Sequence, residues 1–274
     1  MSEPILLEEL TNVARQIRKK IIEMAYETRS GHIGPALSSV EILTVLYFHF
    51  LNSDFKRPQD PDRDRFILSK GHAANALYAT LYVRGVMTEK ELHTFLSDGG
   101  FLGAHPTYPE IRGIEFATGS LGHGLSVAVG LALAAKRDLR PSRVVALLSD
   151  GECEEGSTWE AALSASQFKL DNLIVVIDSN KLQATGVIKE VMNLEPFLDK
   201  WKAFGFSAQR IDGHNIQQIV EALSKTEKEN GCRPQGLPNV IIADTVKGKG
   251  ISFLENTVQS HYHVLSEEEY LKNF

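Results

Sequence analysis

The sequence predicts an α/β fold with an open, mostly parallel sheet and helices on both of its faces. Continuous apolar runs at 143–148 and 173–178 are typical of strands that a parallel sheet buries on both sides. Stretches with helical spacing of apolar residues alternate with such runs along the second half of the chain. The composition is that of a globular protein, with 43% hydrophobic and 23% charged residues. The length of 274 residues fits one large α/β domain or two small ones.

The first half of the chain is predicted to be mainly helical. Apolar residues at three- and four-residue spacing predict a helix over 5–29. A buried helix is expected over 38–51, because apolar residues lie on nearly all of its sides. The polar stretch 55–64 contains two prolines and predicts a loop. A short strand over 65–68 and a helix over 73–84 follow.

The second half is predicted to contain strands and helices in alternation. The strands are expected at 143–148, 173–178, 206–211 and 240–244, and the helices at 157–168 and 216–228. In an open parallel sheet, ligands bind beyond the carboxyl ends of the strands. That rule directs attention to the segments 149–151 and 178–180.

Charge and cysteine content exclude several classes of protein. The formal net charge of −6 argues against a general nucleic-acid or anionic-membrane surface. The apolar run Ile42–Leu51 is too short to span a bilayer, and the acidic N-terminal segment lacks the basic region of a signal peptide. Cys153 and Cys232 show no metal-ligand spacing and no disulfide framework. We therefore expect a cytoplasmic protein without nucleic-acid or membrane partners.

Two polar side chains follow neighbouring strands of the predicted sheet. Asp150 comes directly after one buried strand and Asn180 directly after the next. Both would project into one crevice, where hard oxygen ligands suit Mg²⁺ or Ca²⁺. Gly151 leaves room for a diphosphate, and the helix that follows favours an anion. The alternative is ordinary structure, in which Asp150 caps a helix and Asn180 makes a turn.

Several segments carry a family resemblance. SDGECEEGSTWEAA, followed by LIVVIDSNKLQATG, resembles the thiamine diphosphate signature of transketolases, a GDG triplet with an Asn one strand–helix–strand unit later. Ser149 replaces the first Gly of that triplet. Further segments resemble transketolases in the family's order: SGHIGPALSSVEILTVLYF, LSKGH, GAHP, TGSLGHGLSVAVGLALA and TVKGKGISFLENT. The resemblance covers nearly the whole chain and implies one diphosphate-binding domain of the thiamine diphosphate-binding fold over residues 1–274.

The resemblance implies a cofactor site for thiamine diphosphate and a metal ion. The metal, Mg²⁺ with Ca²⁺ or Mn²⁺ as alternatives, would be held by Asp150, Asn180 and the backbone carbonyl of Leu182. Other residues would contact the cofactor itself: His72 and Gly151 at the diphosphate, His261 nearby, and Gly119, Ser120 and Leu121 at the aminopyrimidine. Leu121 would pack below that ring and help to hold the cofactor bent.

Histidines form a second implied set. By the resemblance His32, His105 and His261 would bind sugar hydroxyls and move protons, as cleavage beside a carbonyl requires. A single loop histidine is otherwise an ordinary surface residue. His263 is an alternative to His261. Other histidines are assigned no catalytic role: His123 has none, and His214 is expected to serve a turn or cap.

Two further features have structural alternatives. The resemblance places Glu155 and Glu160 in an acidic network at a subunit interface, although acidic residues at a helix start are common because the macrodipole favours them. The GKG segment, Gly248–Gly250, lacks the spacing of a nucleotide P-loop, and we reject that interpretation.

The chain resembles only the first part of a transketolase. The pyrimidine-binding and C-terminal domains have no counterpart in it, so we expect the N-terminal subunit of a split enzyme rather than a fragment of a longer chain. With a C-terminal partner subunit it would form an α₂β₂ assembly and transfer a ketol unit between sugar phosphates of the pentose phosphate type. The alternatives are a modified sugar substrate, a deoxyxylulose-phosphate synthase, a 2-oxoacid dehydrogenase alpha chain, or a non-catalytic cofactor-binding module.

Overall fold

Five parallel strands form one open sheet in the computed structural model, which describes residues 3–107, 112–227 and 236–273. The strands are β1 (Arg65–Leu68), β2 (Val144–Ser149), β3 (Leu173–Ser179), β4 (Ser207–Asp212) and β5 (Asn239–Asp244). Their order across the sheet is β1-β2-β3-β5-β4, and every neighbouring pair is parallel. The predicted sheet is confirmed, and each predicted strand end lies within one residue of the observed end.

Helices connect and cover the strands. They are α1 (Glu3–Glu27), α2 (Ile33–Leu37), α3 (Val40–Val45), α4 (Ala74–Val83), α5 (Glu89–Leu92), α6 (Gly124–Arg137), α7 (Gly156–Gln167), α8 (Ile188–Val191), α9 (Phe197–Ala203), α10 (Ile216–Ser224) and α11 (Glu267–Asn273). Short 3₁₀ turns at Gly71–Ala73, Gly151–Glu154 and Gln259–His261 carry three of the predicted site residues.

The sheet separates two hydrophobic cores. Val145 and Leu147 of β2 belong to a core that also contains buried residues of α1, α3, α4 and α10. Their neighbours Ala146 and Leu148 belong to the opposite core, with buried residues of α6, α7 and α9. Because side chains alternate along a strand, an apolar run such as VVALL supplies both cores at once. Helices therefore lie on both faces, as predicted.

Some helices differ from the prediction. The predicted helix over 38–51 is divided, since α3 ends at Val45 and a π-helical turn, Leu46–Phe50, continues it. The break before α3 has a local cause: the hydroxyl of Ser39 donates to the carbonyl of Ala36 in the preceding turn, a contact that competes with helix propagation. The predicted helix over 216–228 reaches beyond residue 227, outside the described residues, whereas α10 ends at Ser224. Helices α2, α5, α6, α8, α9 and α11 were not assigned from the sequence.

Within the described residues, no helix combines the length and apolar character that a membrane crossing needs. Cys153 is buried with a free thiol. Cys232 lies outside the described residues.

Candidate active site

A cavity of about 470 Å³ lies beyond the carboxyl ends of β2 and β3. Its volume falls within the range of sites for small molecules and cofactors. It is lined by most of the predicted site residues: His32, His72, His105, Gly119, Leu121, Asp150, Gly151, Asn180, Leu182 and His261. The lining also includes residues that were not predicted to bind the cofactor, the metal ion or the substrate, namely Pro35, Ser149, Gln183, Ala184, Thr185, Lys247 and Tyr262.

Asp150 and Asn180 lie at one end of this cavity, and both are buried. Asp150 accepts hydrogen bonds from the amide of Gly151 at 2.9 Å and the amide of Lys181 at 2.6 Å. Lys181 has a left-handed φ of 67°, which turns the chain sharply after β3. The amide oxygen of Asn180 accepts from the Leu182 amide at 3.0 Å. The turn after β3 therefore brings the predicted metal ligands together.

The donor set suits a hard cation that is partly held by another ligand. It consists of one carboxylate, one amide oxygen and one backbone carbonyl, the oxygen types that Mg²⁺ and Ca²⁺ prefer. Burial and the neighbouring Asp178 raise the pKa of Asp150 to about 7, and neither its amide donors nor the Lys70 ammonium offsets this. Over the ranges that the structure describes, no group of three or more His, Cys, Asp or Glu could hold a metal ion. Phosphate oxygens of a cofactor would have to complete the coordination.

Four imidazoles surround the other part of the cavity. The ring centroid of His32 lies 5.8 Å from that of His72, 6.0 Å from that of His105 and 5.3 Å from that of His261. His32 has a left-handed φ of 62° just before α2, and its amide donates to the His261 carbonyl at 2.7 Å. This strained residue ties two distant segments together at the site.

Burial favours the neutral form of three of these imidazoles, those of His32, His72 and His261. It lowers the pKa of His32, with the charge of nearby basic groups acting in the same direction. Burial and the Lys70 ammonium hold the pKa of His72 well below its usual range. Burial and the Lys247 ammonium lower the pKa of His261 to about 3. Neutral imidazoles can both accept and donate hydrogen bonds, so this wall suits a polyhydroxylated substrate.

The loop predicted to meet the aminopyrimidine is only partly in the cavity. Gly119 and Leu121 line it, whereas Ser120 is exposed and does not. Gly119 also sits against His105, since a Cβ added there would lie 3.2 Å from the His105 ring. Two of the three residues predicted to meet the aminopyrimidine therefore face the cavity.

Two lysines near the cavity were missed by the sequence analysis. Lys70 is fully buried, donates to the Pro35 carbonyl at 2.9 Å and pairs with Asp178. Lys247 is also fully buried; its ammonium contacts the Leu182 carbonyl at 3.2 Å and Nδ1 of His261 at 3.0 Å. Both lie inside segments quoted for the family resemblance, LSKGH and TVKGKG, which was the available signal.

Glu152 was missed as well. It is buried next to Gly151 in the turn after β2, accepts from the Gly122 amide at 2.9 Å and is bonded by the Ser69 hydroxyl. Its carboxylate therefore links the turn after β2 to the loop that carries Leu121.

The remaining predicted residues lie outside the cavity. His263 bonds the Glu269 carboxylate at 3.1 Å, so the geometry favours His261 over it. His123 is exposed. Glu155 and Glu160 are exposed near the start of α7, away from the cavity lining. The predicted turn or cap role describes only part of what His214 does. Its backbone amide donates to Asp212 in the turn, but its ring also bonds Glu41 and the Val246 amide.

Comparison with known proteins identifies the family of this chain. The family described as "Transketolase, thiamine diphosphate binding domain" matches residues 9–273. An apulose-4-phosphate transketolase subunit from Actinobacillus succinogenes is 44% identical over 263 residues, which cover 96% of this chain and 93% of that protein. The 6-deoxy-6-sulfo-D-fructose transketolase subunit SqwG of a Clostridium species is 43% identical over 260 residues, covering 95% and 93%.

A solved structure agrees at the level of the fold. Transketolase from Leishmania mexicana superposes with a TM-score of 0.88 at 29% identity, covering 95% of this chain and 40% of that one. The chain thus spans about two fifths of the solved transketolase and nearly the full length of the two subunits. The predicted family is confirmed: the chain belongs to the transketolase family and contains its thiamine diphosphate-binding domain.

Proposed function

We propose that this chain is the diphosphate-binding subunit of a two-chain transketolase. With a partner chain, it transfers a two-carbon ketol unit from a ketose phosphate to an aldose phosphate. One observation carries the proposal: the oxygen donors Asp150, Asn180 and Leu182 share a single cavity with four imidazoles. The oxygen donors suit Mg²⁺ bound to a diphosphate, and the imidazoles suit a sugar beside it.

Thiamine diphosphate, when bound, supplies a nucleophilic carbon and an electron sink for breaking the bond beside a carbonyl. The chain's own residues would bind this cofactor and orient it. Asp150, Asn180 and the Leu182 carbonyl hold the metal ion, and His72 donates to the diphosphate. Gly151 lines the cavity without a side chain, so it would leave room for the diphosphate.

The histidines act on the sugar. His32, His105 and His261 lie within one ring cluster, close enough to contact neighbouring hydroxyls of one substrate. A neutral imidazole accepts a proton from one hydroxyl or donates one to an oxygen, and both are needed when a carbon–carbon bond beside a carbonyl breaks and forms. The lowered pKa values of His32 and His261 favour the neutral form at pH 7.

The substrate class extends beyond ordinary pentose phosphates. Two relatives that match this chain along its length are named for apulose-4-phosphate and 6-deoxy-6-sulfo-D-fructose. We propose a sugar phosphate or a modified sugar of similar size as donor, with pentose phosphates as the reference substrates. The test is to measure kcat/KM for each of these donors with one fixed aldose phosphate acceptor and to rank the donors by that value.

Assembly is part of the proposal. Residues 1–274 would form a single domain, two copies would pair, and two partner subunits carrying the pyrimidine-binding half would complete an α₂β₂ enzyme in the cytoplasm. The exposed positions of Glu155 and Glu160 support a place at the interface between copies. The relatives from Phocaeicola vulgatus and Actinobacillus succinogenes are each named as one subunit of their transketolase, which supports the existence of a partner chain.

The test is a ketol-transfer assay of the purified chain with saturating thiamine diphosphate and Mg²⁺. We expect no transfer by the chain alone and full transfer after addition of the partner subunit. Robust turnover by the chain alone would overturn the two-subunit proposal. Binding of cofactor without turnover in any combination would favour a non-catalytic module instead.

The histidine roles have their own test in the assembled enzyme. Replacement of His105 or His32 by Ala is expected to lower turnover by about 10²–10⁴-fold, the usual contribution of a proton-transfer group. Cofactor affinity should change far less. His93→Ala is the matched control, because His93 is an exposed surface histidine outside the cavity. Full activity of a His105 or His32 variant would remove that residue from the catalytic set.

A further inference from the structure

The turn that follows β5 brings a lysine into the active-site cavity. Lys247 lies near the start of this turn, residues 245–250, and its ammonium contacts the Leu182 carbonyl and His261. The amide of Gly248 donates to the Gly34 carbonyl at 3.0 Å. The position of the ammonium therefore depends on how the turn is held.

Two of the side chains that bond to the backbone of this turn are His214 and Arg18. Nε2 of His214 accepts a hydrogen bond from the Val246 amide at 2.8 Å. Nε of Arg18 donates to the Lys249 carbonyl at 3.0 Å. These contacts lie on either side of Lys247 in the sequence, so together they fix the backbone that carries it.

Both side chains converge on one buried carboxylate, Glu41 of α3. One carboxylate oxygen accepts from Arg18 at 2.7 Å and the other bonds Nδ1 of His214 at 2.9 Å. Glu41 is only 8% exposed. Because Val246 donates to Nε2, the proton of the neutral ring must lie on Nδ1, where it is donated to Glu41. The carboxylate thus sets both the orientation and the tautomer of His214.

The GKG segment fits this arrangement. Gly250 has a left-handed φ of 94°, and a Cβ added there would lie 2.6 Å from Cδ of Arg18. Gly248 has a φ of 80°, and its added Cβ would lie 2.5 Å from the Leu254 carbonyl oxygen. Glycine at these positions allows the turn to close against Arg18.

We propose that Glu41 is a positioning residue: through His214 and Arg18 it fixes the turn 245–250 and holds the Lys247 ammonium beside Leu182 and His261. Glu41 is not among the residues that line the cavity, so it acts through the turn. The inference rests on the proposed function, because that function makes the cavity the binding site of thiamine diphosphate. The hydrogen bonds that Glu41 makes with His214 and Arg18 do not depend on it.

The experiment is a double-mutant cycle on the full chain with its partner. Glu41→Gln and Lys247→Met are each expected to weaken binding of thiamine diphosphate with Mg²⁺ by about tenfold, the effect of losing one charge-assisted contact. If Glu41 acts through Lys247, the double variant should bind no more weakly than Lys247→Met alone. Fully additive losses would overturn the proposal. Glu23→Gln is the matched control, since Glu23 pairs with Lys20 on α1 at 2.6 Å and not with a residue that holds the turn.

Amide hydrogen exchange gives a second readout that needs no cofactor. In Glu41→Gln, exchange at the Val246 amide should accelerate about tenfold while exchange at Ile241 in β5 stays unchanged. Unchanged exchange at Val246 would also overturn the proposal. If no cofactor binds to the wild-type protein, the proposed function fails, yet this exchange result still decides the role of Glu41.

A third variant serves if Glu41→Gln does not fold. His214 lines an open cavity of about 370 Å³ together with Arg18 and Glu41, so His214→Gly leaves space that imidazole can enter. Added imidazole should restore protection of the Val246 amide. Imidazole should not restore it in Arg18→Met, where no ring is missing. Absence of restoration in a folded His214→Gly protein would contradict the hydrogen-bonding role.

Discussion

Two buried aspartates, Asp178 and Asp150, lie side by side where β2 and β3 end, but their carboxylates have different partners. Asp178 is fully buried and pairs with the equally buried Lys70; the Ser38 hydroxyl donates to it at 2.6 Å, and Thr245 also bonds it. Asp150 is 2% exposed, and its hydrogen bonds come from backbone amides. In the part of the chain that the structure describes, no basic side chain pairs with Asp150 within 4.0 Å.

The difference shows in the pKa values. Burial works to raise the pKa of Asp178, but the Lys70 ammonium and the hydroxyl donors outweigh it and lower the pKa below its ordinary value. Burial and the charge of Asp178 raise the pKa of Asp150 to about 7. The protein therefore supplies its own cation to Asp178. Asp150 lacks such a direct partner, as expected of a carboxylate that binds a cation from solution.

The largest effect is expected when the internal pair is broken. Lys70→Met leaves Asp178 buried without its cation and should lower the free energy of unfolding by about 3–5 kcal/mol. Chemical denaturation without cofactor measures this. The double variant Lys70→Met/Asp178→Leu is the control, since it removes both charges and should recover much of the loss. A loss below about 1 kcal/mol in the single variant would show that the pair is not what stabilises this end of the sheet.

Asp150 should respond in the opposite way. Asp150→Asn removes a buried carboxylate that has no direct cationic partner, so the unfolding free energy of the cofactor-free protein should stay the same or rise. Affinity for thiamine diphosphate with Mg²⁺ should fall by about 100-fold or more, and Asp150→Ala should abolish it. Calorimetry measures the affinity, with Asp178→Asn as the control that destabilises the protein. Near-native affinity in Asp150→Ala would remove Asp150 from the site.

Sequence patterns located the sheet and the ends of its strands. The runs in β2 and β3 are apolar at nearly every position. This pattern indicates burial on both faces of the sheet, and it can be recognised without knowing which elements pack against the strand. Asp150 and Asn180 were predicted as ligands for the same reason, since each directly follows such a run. Their juxtaposition follows from parallel pairing of neighbouring strands.

Long-range contacts explain what the sequence could not supply. Lys70 and Asp178 are 108 residues apart, and nothing in the local pattern marks either as half of a buried pair. Lysine is ordinarily a surface residue, so Lys247 was also overlooked. His261 and His263 differ by two positions in an irregular segment, and the bond from the His32 amide to the His261 carbonyl helps to fix which ring enters the cavity.

Glu41 extends the comparison to a buried carboxylate with two basic partners. Burial works to raise its pKa, but hydrogen bonding to His214 and the charge of Arg18 lower it below the ordinary 4.5. A depressed pKa stabilises the folded protein above the unfolded value, and this contribution is lost as the pH falls through the folded value. Glu41→Gln should therefore cost about 1–3 kcal/mol at pH 7.

The pH dependence distinguishes this from a packing effect. The difference in unfolding free energy between wild type and Glu41→Gln should begin to shrink below pH 4.5, where the carboxylate of the unfolded chain is protonated. It should be lost below the lower pKa of the folded protein, where the carboxylate is protonated in both states. Denaturation at a series of pH values measures it. A difference that stays constant down to acidic pH would mean that shape, not charge, accounts for the contribution of Glu41.

The smallest effect is expected at the exposed counterpart of the internal pair. Lys181 pairs with Asp244, but their side chains are 49% and 39% exposed, and Arg210 also binds Asp244 at 2.8 Å. Lys181→Met should change the unfolding free energy by less than about 1 kcal/mol, because solvent screens the pair and Arg210 remains. The left-handed backbone at this position is equally unfavourable for both side chains, so backbone strain cancels. Added salt should reduce even this change. A loss as large as that of Lys70→Met would show that burial does not separate the two lysine–aspartate pairs.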